Sequence, residues 1–323
     1  MSGITKTWNP HMMLFSGRAH PKLATDVASL LGTELTPLRL ISYANSEIYV
    51  RFEESVRGCD AFVIQSHPAP VNEWVMEQLV MVDALKRASA KRITVVAPFY
   101  PYSRQDKKHL GREPISARLI ADLFLAAGAD RIMSIDLHAS QIQGFFDGPV
   151  DHLTGLPVLE EYVRSHYDPS QITVVSPDAG RVRLTDAWAD RLGAPLAIIH
   201  KRHDPHLANE IHVHEVVGRV EGRICLLADD MIDTAGTVSQ AAAALLEHGA
   251  KQVIAASTHP IFSDPAPARL NDSGIAEIIV TDSLPIRDGL QIDNLTILSI
   301  APLLAKAIHE VFIDGSVTSL FAV

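Results

Sequence analysis

Short, continuous apolar runs rich in Val and Ile recur along this chain, and they restrict its fold more than any other feature. They occupy residues 60–65, 92–97, 131–136, 172–175, 196–200, 223–227, 252–256 and 277–281. A strand buried on one face alternates apolar with polar residues, whereas a strand covered on both faces reads as an unbroken apolar run. Helical patterns lie between the runs. In residues 72–90, Val75, Leu79, Val82 and Leu85 recur at the three- and four-residue spacing of one helix face. Strands alternating with helices in this way build parallel sheets with helices packed on their faces. The predicted fold class is therefore α/β, with mainly parallel sheets flanked by helices.

The pattern has an internal echo. Residues 125–140, LAAGADRIMSIDLHAS, run in step with residues 246–261, LEHGAKQVIAASTHPI. Each has a helix end, Gly-Ala, an apolar strand, and a histidine (His138 or His259) at the same distance from the glycine. Residues 84–98, ALKRASAKRITVVAP, also resemble residues 244–258, ALLEHGAKQVIAAST. Two readings stand: a duplicated α/β half, or helix–strand joints that merely look alike. Duplication predicts domains at residues 1–155 and 156–300, meeting where GPVDHLTGLPV supplies Gly and Pro. The amphipathic stretch 301–312 and the closing SVTSLF are then expected to return to the first domain, as a 301–323 extension.

With 323 residues, 47% hydrophobic and 20% charged, the chain is long enough to fill two such cores. No run of 18 or more residues is wholly apolar, so no membrane span is expected. The apolar stretch in MSGITKTWNPHMMLF is too short for a signal peptide. Two cysteines, Cys59 and Cys225, cannot form a disulfide framework, which makes the cytoplasm the expected compartment. A net charge of −10 argues against nucleic acid as a partner. Anionic substrates remain compatible where positive charge concentrates, as in RQDKKHLGR at 104–112 and HKRH at 200–203.

The densest chemistry lies in residues 224–238, ICLLADDMIDTAGTV. This reads as strand, turn and helix, with the turn at the carboxyl end of a parallel strand, where α/β sheets collect ligands. Asp233, Thr234, Ala235, Gly236 and Thr237 run into a helix N-terminus whose N–H groups and dipole attract phosphate. Asp229 and Asp230 can accept hydrogen bonds from vicinal hydroxyls such as those of a ribose, or hold a metal. An N-capped helix needs one short polar residue and tolerates acids in its first turn. Three acids beside Thr-Ala-Gly-Thr exceed that need, and a sugar phosphate satisfies both halves of the turn.

On these residues the chain resembles proteins that bind phosphoribosyl diphosphate: ADDMIDTAGT is similar to the signature of type I phosphoribosyltransferases and of ribose-phosphate diphosphokinases. The segments ESVRGCDAFVIQS, FYPYSRQDKK, GREPISARLIADL, DLHASQIQGFFDGPVDHL, VVSPDAG and SVTSLF resemble the diphosphokinases, over essentially the whole length. A transferase would explain the sugar-phosphate turn but not these segments. The resemblance implies two homologous type I phosphoribosyltransferase-like domains. It also implies transfer of the β,γ-diphosphoryl group of ATP to the C1 hydroxyl of ribose 5-phosphate, with Mg²⁺ as cofactor and a homo-oligomer, often a hexamer, as the assembly. A non-catalytic or regulatory relative of such an enzyme is the alternative.

The resemblance also assigns roles. Arg104 and Gln105 contact ATP, and so does the turn Tyr43-Ala44-Asn45-Ser46-Glu47, with Tyr43 an aromatic platform and Glu47 an acceptor for the adenine amino group. Ser46 stands where the family has glycine, and a positive φ there would strain it. His138 and Asp178 match the Mg²⁺ ligands, with Asp136 in support. Asp229, Asp230, Asp233, Thr234, Ala235, Gly236 and Thr237 match the ribose 5-phosphate site. After Asp178 the family has His-Gly-Gly, whereas this chain has Ala179-Gly180-Arg181. The catalytic Lys-x-Arg pattern reads Lys201-Arg202-His203, so histidine replaces the second cation at a position that also faces ribose 5-phosphate. A lost transition-state donor costs roughly 2.7–4 kcal/mol, and Arg202 on an irregular loop can compensate. Five histidines between 200 and 214 fit either a polar loop or a transition-metal site.

Overall fold

The computed structural model describes residues 11–178, 180–203 and 212–320; at 201–203, 212–214 and 319 the description is of the backbone. The chain divides into two compact units. One holds the described residues up to Leu153 together with those from Ala301 onward, and the other is Thr154–Ile300.

The first unit runs β1 (Met12–Ser16), α1 (Pro21–Leu30), β2 (Leu38–Ser42), β3 (Ile48–Phe52), β4 (Asp60–Ile64), α2 (Val71–Arg87), β5 (Arg92–Val96), α3 (Ser116–Ala127), β6 (Arg131–Ile135) and β7 (Val150–Leu153). The second runs α4 (Leu156–His166), β8 (Ile172–Ser176), α5 (Val182–Leu192), β9 (Leu196–His203), β10 (His212–Val217), β11 (Ile224–Ile232), α6 (Gly236–Glu247), β12 (Gln252–Pro260), α7 (Ala266–Asn271), β13 (Glu277–Thr281) and β14 (Leu295–Leu298). Helix α8 (Ala301–Phe312) follows and belongs to the first unit.

In the first unit the sheet order is β1-β4-β5-β6-β7, all parallel, and β2 pairs with β3 in a separate antiparallel hairpin. In the second the order is β10-β9-β8-β11-β12-β13-β14, parallel except for β10 on β9. The two orders superimpose by topology. β1, the hairpin and β4-β5-β6-β7 correspond in turn to β8, the pair β9–β10 and β11-β12-β13-β14. This duplication corrects one of the two sequence alignments. β5 is the counterpart of β12, as residues 84–98 indicate, but β6 answers to β13. Hence His138 after β6 and His259 on β12 are not equivalent positions. His259 is buried, with its Nδ1 2.9 Å from Ser283 Oγ. That hydroxyl donates to the Thr258 carbonyl, so the ring N–H is the donor to it.

Burial on both sheet faces accounts for the apolar runs. In the second unit Val175, Cys225, Leu227, Val253, Ala255, Ile278 and Val280 pack into one core. Their sequence neighbours Val174, Leu226, Ile254 and Ile279 pack into another, together with Trp188 of α5 and Leu159 and Val163 of α4. Helix α2 ends close to its expected limit, where Ser89 turns to φ 66°. β11 and β12 run further than the apolar runs predict, because each supplies the other's backbone partners: Asp229 pairs with Ser257 and Met231 with His259.

Candidate active site

The second sheet places its strands outward from the middle in both directions. β9 lies on one side of β8, and β11, β12 and β13 follow on the other. The order reverses between β8 and β11, and the carboxyl ends of strands at such a point are where open α/β sheets hold ligands. The turn after β8 carries Asp178, and the end of β11 with the turn that follows it carries residues 229–237.

After β8, Asp178 closes a tight turn. Its Oδ1 accepts from the Gly180 N–H at 2.7 Å, and its carbonyl accepts from Ser176 Oγ at 2.7 Å. Arg181 follows as the N-cap of α5. Its guanidinium spans both acids near the carboxyl end of β11: Nε lies 2.9 Å from Asp229 Oδ1 and Nη2 lies 2.9 Å from Asp230 Oδ1. Asp229 Oδ1 also accepts from the Asp230 N–H at 2.9 Å. Burial, and then the adjacent Asp230 charge, hold the Asp229 carboxyl well above the ordinary carboxylate range, against the pull of Arg181.

The turn after β11 is shaped for an anion. Ala235 is buried and left-handed, at φ 60° and ψ 7°, and α6 starts at Gly236. From α7, Arg269 Nη1 donates to the Thr234 carbonyl at 3.0 Å, while Ser239 Oγ donates to the Arg269 carbonyl at 3.2 Å. In a trans peptide C=O and N–H point in opposite directions. A guanidinium on the Thr234 carbonyl therefore turns the Ala235 N–H the other way, with the unsatisfied N–H groups that open α6. Gly236 gives Arg269 room, because a Cβ there would come within 3.3 Å of Nη1.

Next to β8, β9 runs past their last paired residues, Ser176 and Ile198, and carries the backbone of Lys201, Arg202 and His203 beyond the end of β8. In register, Lys201, Arg202 and His203 oppose His214, Val213 and His212 on β10. The side chains of these residues, and residues 204–211, lie outside the description.

In the first unit, the turns after β5 and β6 lie at the carboxyl ends of neighbouring strands. Arg104 and Gln105 are exposed, and His138 is half-buried. The two turns are tied by Gln141 Nε2 donating to Asp106 Oδ2 at 2.6 Å. Gln105 is itself fixed by Ser116 Oγ on its Oε1 at 2.6 Å. The turn Tyr43–Glu47 is the tip of the β2–β3 hairpin, apart from the five-stranded sheet. The Tyr43 N–H donates to the Glu47 carbonyl at 2.8 Å, and Ser46 takes φ 71°, the left-handed conformation that glycine adopts freely.

The structure thus gathers Asp178, Asp229, Asp230 and the turn 233–237 at one switch point. It puts Arg104, Gln105 and His138 at the carboxyl ends of neighbouring strands in the other unit. Sequence reasoning missed the roles of Arg181 and Arg269. Arg181 left one signal: a cation at a helix N-terminus opposes the helix dipole and needs an acidic partner.

An α/β chain with an acid pair and an anion turn at a switch point, in duplicate scaffolds, defines an enzyme of phosphoribosyl chemistry. Known proteins place it more narrowly. A profile of the N-terminal domain of ribose phosphate pyrophosphokinase matches residues 12–128, and one of the phosphoribosyl synthetase-associated domain matches residues 205–322. The chain is 62% identical over 321 residues to a ribose-phosphate pyrophosphokinase of Streptomyces coelicolor, covering 99% of each. It is 60% identical over 312 residues to one of Mycobacterium tuberculosis, covering 96% of each. The crystal structure of phosphoribosylpyrophosphate synthetase from Mycobacterium smegmatis matches with a TM-score of 0.90 at 58% identity, over 94% of this chain and 100% of that one. The chain belongs to the ribose-phosphate pyrophosphokinase family, and near-full-length identity at this level does not favour the non-catalytic alternative.

Proposed function

We propose that this chain moves the β,γ-diphosphoryl group of ATP onto the C1 hydroxyl of ribose 5-phosphate, forming phosphoribosyl diphosphate and AMP. The observation that carries the reading is the switch point itself: the paired carboxylates of Asp229 and Asp230 lie just before the Thr234–Thr237 backbone that opens α6, an arrangement that suits sugar hydroxyls followed by a 5-phosphate. ATP binds the first unit through Arg104, Gln105 and the turn Tyr43, Asn45, Ser46 and Glu47. The sugar hydroxyl attacks the β-phosphorus and AMP leaves, so positioning and charge neutralisation supply the catalysis and no side-chain nucleophile is required.

Asp178 and His138 are the residues that would hold Mg²⁺. An acid whose Oδ1 is pinned by a backbone N–H presents its other oxygen in a fixed direction. Such an oxygen donor would suit Mg²⁺, a hard cation that prefers oxygen ligands. When bound, the ion neutralises charge on the transferring phosphates. Lys201 and Arg202 supply the remaining cationic groups, His203 stands where the family has a second arginine, and His203→Arg is expected to raise kcat about tenfold or more.

The enzyme is cytoplasmic and self-associating in this reading. Leu119 and Leu123 of α3, with Ile115 just before the helix, support the second property, being exposed at four-residue spacing. The test is AMP and phosphoribosyl diphosphate formation by the purified chain from ATP, Mg²⁺ and ribose 5-phosphate. Release of ADP instead of AMP, or turnover without ribose 5-phosphate, would overturn the reading.

A further inference from the structure

We propose that Arg181 is a positioning residue of the ribose site, holding the Asp229 and Asp230 carboxylates side by side as joint acceptors for the vicinal hydroxyls of ribose 5-phosphate. The proposal rests on the assignment of that sugar to Asp229 and Asp230.

The geometry is that of a clamp. One planar guanidinium meets two carboxylates that are adjacent in sequence, at 2.9 Å each, through its Nε and Nη2 edge. It takes Oδ1 of both, so the grip does not consume Oδ2 of either. The three side chains are 20%, 23% and 6% exposed for Arg181, Asp229 and Asp230, so little water is present to do the same work. Burial and the neighbouring Asp230 charge push the Asp229 carboxyl toward its protonated form, and Arg181 is the cation that pulls it back toward the ionised one. If one kept its proton, it would donate where the sugar hydroxyl must itself donate, and the pair would cease to be a matched acceptor.

Arg181 is anchored for the task. Its N–H reaches the Asp178 carbonyl at 3.3 Å, and its own carbonyl accepts the Thr185 N–H and Thr185 Oγ1, each at 3.1 Å. The guanidinium thus reaches from one side of the switch point to the other on a fixed stem. A cation at a helix N-terminus is misplaced for the helix, so the two acids account for its presence. Lysine offers a point charge without the planar fork and cannot fix both oxygens in one plane.

The experiment is calorimetric binding of ribose 5-phosphate together with steady-state kinetics, on the full chain and on Arg181→Met, Arg181→Lys and a Asp229→Asn/Asp230→Asn double variant. The expected result is a tenfold or greater rise in Kd and KM for ribose 5-phosphate in Arg181→Met. KM for ATP should stay within twofold, and Arg181→Lys should restore part of the loss. A structural defect would weaken both substrates together. Unchanged or tighter sugar binding in Arg181→Met would overturn the proposal, the tighter case showing that arginine competes with the sugar for the acids. Should Arg181→Met fail to fold, Arg181→Lys decides, because wild-type KM for ribose 5-phosphate in that variant also overturns it. Full sugar binding by the double variant would instead remove the ribose assignment, and the proposal with it.

Discussion

Ser46 and Ala235 each hold a left-handed backbone, at φ 71° and 60°, in turns assigned to the two substrates. An L-residue pays about 1–2 kcal/mol there, which glycine avoids, although glycine gives back about 0.5–1 kcal/mol in unfolded-state entropy. Ala235→Gly is therefore expected to stabilise the chain by about 1 kcal/mol or less and to raise Tm by a few degrees in calorimetry. The same change loosens the anion turn, so KM for ribose 5-phosphate should rise as Tm rises. A fall in Tm would show that the buried Ala235 methyl packs better than its backbone is strained. His67 makes a second residue-level case. Its ring is fully buried, with Nδ1 3.1 Å from the Phe99 carbonyl, and burial pushes its pKa down to about 4 from 6.5. The unfolded chain takes up that proton first as pH falls. The stability contributed is full above about pH 6.5 and is lost toward pH 4, amounting to about 2 kcal/mol between pH 7 and pH 5. Urea unfolding of His67→Asn beside the wild type should show the difference in slope over that window.

Elements differ in how plainly the sequence announces them. The core strands are legible because burial on both faces forbids polar interruptions, and residues 277–281 emerge as β13 with the limits expected. The carboxyl half of β11 is hidden because Asp229 and Asp230 break its apolar run, and only pairing with β12 keeps it a strand. β2 and β3 are missed because half-buried residues carry no continuous run. The site divides in the same way. The anion turn is readable because its residues are contiguous, whereas Arg181 and Arg269 act across tertiary contacts that periodicity does not encode. Arg269 belongs to α7, yet it sets the turn before α6. Arg269→Ala should cost about 1 kcal/mol of stability. Hydrogen exchange should quicken at the amides of residues 235–239 while those of β12 keep their protection. Equal protection in both proteins would mean that the turn holds its shape without α7.

In the whole molecule, the helix that covers each first strand comes from a different place in the chain. In the second unit α4 packs on α5, and both precede the rest of that sheet. In the first unit the same role beside α1 falls to α8, which the chain reaches only after the entire second unit. Helix α8 buries Leu304, Ile308 and Val311, and its end is latched by Arg92, whose Nη1 meets Asp314 at 2.5 Å. The same guanidinium holds the buried Asp60 through two bonds of 2.8 Å. Burying three such side chains contributes about 5 kcal/mol or more, which is comparable to the whole stability of an ordinary domain. A chain truncated after Ile300 should therefore lose the first unit and keep the second, whose covering helix lies within it. Hydrogen exchange is the measurement: amides of β1, β4 and β5 should exchange freely, while those of β8, β11 and β12 stay protected. Arg92→Ala should do the same in miniature, at about 2–3 kcal/mol, because it leaves the Asp60 carboxylate buried without its cation. Uniform protection across both units in the truncated chain would show that the first sheet closes without α8.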